Sequence, residues 1–116
     1  MRKLYFLKTC DTCKRILKEV NIDGFEQQEI KAGPVTASQL NEMYSLSKSY
    51  EALFNKRARL YKERNLKSKT LSEEDYKKLI LEEYTFLKRP VFIVNDEIFI
   101  GNSKKEIERL KEKLNK

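Results

Sequence analysis

No histidine occurs in the chain, and cysteine occurs only twice, at Cys10 and Cys13. A zinc site normally draws on about four ligands, so a metal here would depend on carboxylates or on a second subunit. No apolar run approaches the roughly 20 residues of a membrane span. The short apolar stretch 4–7 behind Met1, Arg2 and Lys3 is too brief for a secretory signal. The expectation is a cytoplasmic protein with no membrane partner, and in a reducing compartment a close cysteine pair reads as reactive rather than as a permanent staple. Internal repeats, low-complexity tracts and Gly/Ser/Pro-rich linkers are also missing, so 116 residues read as one domain with one core. The absence of a helix-turn-helix pattern or an aromatic-basic platform argues against direct nucleic-acid binding.

What is present is a periodic, heavily charged chain. Hydrophobic residues make up 40% and charged residues 37%, which with helical and strand periodicity implies a folded domain with a solvated surface rather than disorder. The charge is uneven. Lys56, Arg57, Arg59, Lys62, Arg64, Lys67 and Lys69 stand against the single acid Glu63, so six of the seven net positive charges fall in one stretch. Such a stretch suits an acidic protein, nucleic acid or an oxyanion, and equally an ordinary solvated helix face.

The chemistry concentrates in Lys8-Thr9-Cys10-Asp11-Thr12-Cys13-Lys14-Arg15. Leu4, Tyr5, Phe6 and Leu7 read as a buried strand, and Ile16, Leu17 and Val20 recur at helical spacing, which puts Cys10 on a strand-to-helix turn. Orphan N–H groups and the helix dipole favour a thiolate there, with Lys8, Lys14 and Arg15 adding positive charge and Asp11 opposing it. Cys13, about one turn inward, is spaced to close a disulfide with Cys10. Two buried structural cysteines and half of a metal site are the alternatives.

Further along, residues 21–24 read as a turn and 25–30 as a second strand whose polar middle, Glu26-Gln27-Gln28-Glu29, suits a sheet edge. Thr36 and Gln39 form a capping box opening a helix with Leu40, Met43 and Tyr44 inward. The segment 45–88 reads as a helical insertion, with Leu53, Phe54, Leu60 and Tyr61 inward, then Tyr76, Leu79, Ile80, Tyr84 and Leu87 along one helical side. Two strands, 91–94 and 97–100, meet at Asn95-Asp96, a pair suited to a tight hairpin. Ser103 and Glu106 read as a second capping box, opening a last helix with Ile107, Leu110 and Leu114 inward. The order β-α-β-α, helices, β-β-α predicts an α/β fold.

A CxxC pair at the first strand-helix turn, with a βαβ half and a terminal ββα half, resembles the thioredoxin-like (glutaredoxin-like) fold. Within it, the chain looks like the arsenate reductase (ArsC) and Spx family. Four motifs carry the likeness: residues 9–15, Leu53-Phe54-Asn55-Lys56-Arg57, Leu87-Lys88-Arg89-Pro90-Val91, and Ile100-Gly101 with the following Lys-Lys-Glu-Ile. The resemblance implies a four-stranded mixed sheet flanked by helices, with a helical insertion at about 45–88, in one domain spanning 1–116. It implies a cis Pro90 facing the cysteine turn, and Arg89 and Arg57 as oxyanion holders, since a guanidinium offers paired donors and lowers a neighbouring thiol's pKa. Cys10, Cys13 and Arg89 are thereby the catalytic candidates, and Thr9, Thr12, Lys14, Arg57 and Pro90 the substrate-binding ones. No bound cofactor or metal is implied. The external thiol donor would be glutathione, glutaredoxin or thioredoxin, and the substrate a thiol/disulfide or an oxyanion. In the Spx manner the partner would instead be RNA polymerase, met through the basic insertion. Two departures count against arsenate itself: arsenate reductases of this type usually carry serine where Cys13 stands, and Gly101 or Asn102 replaces an expected third arginine.

Overall fold

The computed structural model describes residues 1–115; Lys116, the last residue of the expected domain, lies outside the described residues. The chain runs β1 (Arg2–Phe6), α1 (Asp11–Glu19), β2 (Glu26–Glu29), α2 (Ala37–Ser47), α3 (Arg59–Glu63), α4 (Glu73–Glu82), β3 (Val91–Val94), β4 (Glu97–Ile100) and α5 (Lys104–Leu114). Single 3-10 turns sit at Glu51–Leu53, Leu66–Ser68 and Tyr84–Phe86. The residues fall into two compact units: Met1–Gly33 together with the segment from Arg89 on, and Pro34–Lys88. Helix α2 falls in the second unit, together with the segment 45–88.

In the first unit the strands form one mixed sheet in the order β2-β1-β3-β4. β1 pairs in parallel with β2, Phe6 opposite Glu29, and antiparallel with β3, which pairs antiparallel with β4. The polar β2 is at the edge, as its Glu-Gln-Gln-Glu composition predicts, whereas all four residues of β3, Val-Phe-Ile-Val, are buried. The hairpin turns at Asn95, which takes a left-handed φ of 57°, a conformation that asparagine tolerates better than most residues. Leu4, Ile16, Val20, Phe25, Phe92, Val94, Phe99, Ile107 and Leu110 make the core under α1 and α5. Phe25 meets Phe92 edge-on with ring centroids 5.6 Å apart.

The last helix starts differently from its sequence pattern. Ser103 Oγ accepts from the Glu106 N–H, but the Glu106 carboxylate does not reach back to the cap. It accepts from the Ile100 N–H at 2.9 Å and from Arg109, so the reciprocal half of the expected box is replaced by a clamp on the end of β4.

In the second unit, Leu40, Met43, Leu53, Phe54, Tyr76, Ile80, Phe86 and Leu87 are buried. Phe54 is the hub of the ring contacts, with Phe86 at 5.0 Å, Tyr76 at 4.9 Å and Tyr61 at 5.8 Å. Tyr44, expected inward, is exposed and stacks on Tyr50 at 4.3 Å. Leu60, Tyr61, Leu79 and Tyr84 are half-buried. The Thr36–Gln39 box forms, and Ser72–Asp75 makes another at α4. Among the described residues no helix is long and apolar enough to cross a membrane.

Candidate functional site

Cys10 is the N-cap residue of α1, in extended backbone geometry. Its N–H donates to the Leu7 carbonyl at 3.2 Å, and its carbonyl accepts the first helical bond, from the Lys14 N–H at 3.0 Å. The buried strand ahead and the buried Ile16 behind thus set the sulfur at the rim of the sheet unit. Cys10 is half-exposed, Cys13 is fully buried, and both are free thiols.

The two sulfurs have their pKa values shifted in opposite directions. Burial is the largest single influence on Cys10 and pushes its pKa up. Hydrogen bonding to the Cys13 backbone and thiol, together with the charge and hydrogen bonding of Arg89, outweighs that, so the net shift is downward. Cys10 Sγ makes no side-chain cap hydrogen bond, yet the Cys13 N–H still favours a developing thiolate. Cys13 is pushed up to about 12, chiefly by burial, with the negative charge of Cys10 adding to the effect and a backbone hydrogen bond from Leu7 opposing it.

Arg89 is half-buried and immediately precedes Pro90, which is buried; the Arg89–Pro90 peptide is cis. The Pro90 carbonyl accepts from the Gly101 N–H at 2.9 Å, tying the start of the hairpin to its end. The first unit therefore brings Cys10, Cys13 and Arg89 together. Around the turn, Thr9 and Lys14 are exposed and Thr12 is half-buried. Arg57 belongs to the second unit, where it is exposed and its N–H donates to Asn55 Oδ1 at 3.0 Å.

Three of the seven clustered cations have acidic partners. Lys56 pairs with Glu51 at 2.6 Å, Arg64 with Glu82 at 2.7 Å and Arg59 with Glu63 at 3.6 Å. Glu51 and Glu82 lie outside the cationic stretch in sequence, so the patch is weaker in space than on paper. Arg57, Lys62, Lys67 and Lys69 are exposed. Among the described residues no cluster of three or more His, Cys, Asp or Glu side chains could hold a metal ion.

One residue of the cysteine turn's surroundings escapes the sequence reading. The Glu29 carboxylate accepts from the Lys8 N–H at 2.8 Å, the Lys31 N–H at 2.9 Å and the Ala32 N–H at 2.8 Å. These bonds, that to Lys8 first, hold its carboxyl below the usual carboxylate range. The sequence marks Glu29 only as part of a polar edge strand.

A mixed four-stranded sheet, a CxxC pair at the end of the first strand and a proline opening the hairpin define a thioredoxin-like protein. More narrowly, the chain belongs to the ArsC family, whose model matches residues 5–110. It is 24% identical over 112 residues to the global transcriptional regulator Spx 1 of Bacillus cereus, covering 94% of this chain and 86% of that one. The crystal structure of an ArsC family related protein from Bacteroides fragilis superposes with a TM-score of 0.79 at 26% identity, covering 95% of this chain and 97% of the other. An arsenate reductase from Vibrio cholerae shares the fold, with a TM-score of 0.72 at 20% identity over 97% of this chain and 96% of that one.

Proposed function

We propose that the protein is a small thiol–disulfide reductase with Cys10 as nucleophile and Cys13 as resolving thiol. The observation that carries this reading is the inequality of the two sulfurs: one half-exposed and favoured as thiolate beside Arg89, the other buried and protonated. The Cys10 thiolate attacks a disulfide R–S–S–R′, forms the mixed disulfide Cys10–S–S–R, and releases R′–S⁻, which takes a proton from water. That step also removes the negative charge on Cys10 that had opposed ionisation of Cys13. Cys13 then loses its proton to solvent and attacks Cys10 Sγ, the bond to R breaks, and R–S⁻ leaves. Two electrons have passed from the dithiol to the substrate.

Arg89 stabilises the negative charge at each stage. Thr9, Thr12, Lys14 and Pro90 are the substrate contacts of the sheet unit in this reading, and Arg57 is an exposed guanidinium of the helical unit. Glutathione, glutaredoxin or thioredoxin returns the Cys10–Cys13 disulfide to the dithiol, and no bound cofactor takes part. With a second cysteine in place of the usual serine, disulfides are preferred over arsenate as the substrate class.

The test is the pH dependence of iodoacetamide alkylation in Cys13→Ser, paired with a redox titration of the unaltered protein. The expected midpoint lies below the free-thiol value of about 8.5, with an internal disulfide forming under mild oxidant. A midpoint at the free-thiol value and no internal disulfide would overturn the reading.

A second reading rests on the likeness to Spx 1 and on the exposed Arg57, Lys62, Lys67 and Lys69. In it the same disulfide switches a regulator that meets RNA polymerase through the helical insertion. Polymerase pull-down that depends on oxidation state, without turnover of any disulfide, would select it over the first.

A further inference from the structure

The turn that presents Cys10 is a short piece of chain with little sheet to support it. β1 ends at Phe6, whose carbonyl still accepts from the Ile30 N–H at 2.9 Å, and beyond it the parallel ladder stops. The next two backbone N–H groups, of Leu7 and Lys8, have no strand to bond to; Leu7 is buried, where an unpaired N–H is costly, and Lys8 is exposed. The first is taken by the Cys13 thiol. The second is taken by a carboxylate 21 residues away in sequence, at 2.8 Å.

Glu29 is the last residue of β2 and sits opposite Phe6 in the ladder. One of its oxygens, Oε2, holds the Lys8 N–H, while the other, Oε1, holds Lys31 and Ala32. The Glu29 carbonyl also accepts from the Gly33 N–H at 2.9 Å, so the turn after β2 is wound on this one residue. A single side chain thereby joins the turn leaving β1 to the turn leaving β2. Hydrogen bonds to a charged acceptor are the stronger kind, and three donors converging from two segments fix the carboxylate without help from a long flexible partner.

We propose that Glu29 is a positioning residue for Cys10: by pinning Lys8 to the edge strand it fixes the short turn on which the sulfur meets the Arg89 guanidinium and the Cys13 N–H. This rests on Cys10 being the reactive thiol of the proposed function. A thiolate gains from a fixed donor only while the sulfur is held against it, so a loosened turn averages those interactions away. The carboxylate's own charge acts in the opposite sense, disfavouring a nearby thiolate. The two effects have opposite signs, so the sign of the change on removing the carboxylate shows which dominates: loss of the pin slows Cys10, and loss of the charge alone quickens it.

The test compares Glu29→Ala and Glu29→Gln with the unaltered protein, using the pH profile of Cys10 alkylation by iodoacetamide and amide exchange at Lys8. The expected result for Glu29→Ala is a midpoint raised by about half to one pKa unit, read as alkylation near neutral pH slowed about three- to tenfold, with faster Lys8 exchange. Glu29→Gln keeps one acceptor oxygen and should fall between. A folded Glu29→Ala with an unchanged or lowered midpoint would overturn the proposal. If that variant does not fold, Glu29→Gln decides in the same way: a raised midpoint supports the pin, and faster Lys8 exchange with an unmoved midpoint overturns it. The parent reading fails separately, when the unaltered protein already titrates as a free thiol. A rise on going to Glu29→Ala would then still stand for the pin.

Discussion

The two compact units use their carboxylates for different ends. In the sheet unit the backbone is largely satisfied by the ladder, and Glu29 and Glu106 bond N–H groups where the strands run out: Lys8 after β1, and Ile100 at the end of β4. In the helical unit no helix exceeds 11 residues, a length at which isolated helices are marginal in water. Two of its carboxylates serve helix beginnings instead. Asp75 closes the box at α4, and Glu73 accepts from the Tyr50 and Glu51 N–H groups at 2.8 and 3.1 Å, starting the 3-10 turn at Glu51–Leu53. The sheet unit is thus organised by apolar burial with polar braces where its strands end, and the helical unit by caps around a cluster of rings.

That contrast predicts where damage is worst. Phe92 is 1% exposed in a central strand and meets Phe25 edge-on. Phe92→Ala should cost about 3–5 kcal/mol, measured by urea unfolding followed in far-UV circular dichroism, since the chain has no tryptophan to report. A loss of under about 1 kcal/mol would mean that the sheet unit does not depend on that burial.

The next effect appears in alkali. Cys13 has a folded-state pKa of about 12, raised above its unfolded value of about 8.5. The stability it contributes is complete below the unfolded value and is lost as pH climbs from there towards 12. Cys10, with its pKa lowered, has the opposite sign: its contribution is present above the unfolded value and disappears as pH falls through the folded one. The larger shift belongs to Cys13, so the urea midpoint should drop further between pH 7 and pH 10 in the unaltered protein than in Cys13→Ser. Equal drops would show that the inner thiol is not held protonated.

Smaller again is the loss of a cap. Glu73→Ala strands the Tyr50 and Glu51 donors and should cost about 1–2 kcal/mol, at the upper end for a cap because two N–H groups share it. Alkylation of Cys10 should be unchanged in that variant. A slowed Cys10 would break the division of labour between the units.

Short-range features were legible in the sequence. The hairpin followed from Asn95-Asp96 between two apolar runs, the Thr36 box from a four-residue pattern, and the place of Cys10 from the change of period on either side of it. Features that need chain reversal were not. Glu29 reads as one polar residue of an edge strand, because nothing local says that the crossover returns it beside Lys8. The same blindness made Ser103 and Glu106 a complete box, when the end of β4 offers the Glu106 carboxylate a competing donor in Ile100. It also overstated the cationic stretch, since Glu51 and Glu82 approach it only on folding. Arg89 came from family resemblance alone, as its distance in sequence from Cys10 hides the pairing.

Arg89 gives the finest measure of how the sheet unit tunes its turn. Its charge acts on Cys10 ahead of its hydrogen bond, so the two contributions are separable by substitution. Arg89→Lys keeps the charge but not the planar fork of donors, and Arg89→Ala removes both. The alkylation midpoint of Cys10 should therefore rise in the order unaltered, Lys, Ala, with the whole span about half to one unit. Because Cys10 is half-exposed, the charge part is open to screening, and raising the salt from about 0.01 to 1 M shortens the Debye length from roughly 30 to 3 Å. Salt should raise the midpoint of the unaltered protein and of Arg89→Lys while leaving Arg89→Ala nearly still. If Ala and Lys shift alike and salt moves neither, the guanidinium acts through its hydrogen-bond geometry rather than its charge, and the Cys10 thiolate owes nothing to a Coulombic attraction from Arg89.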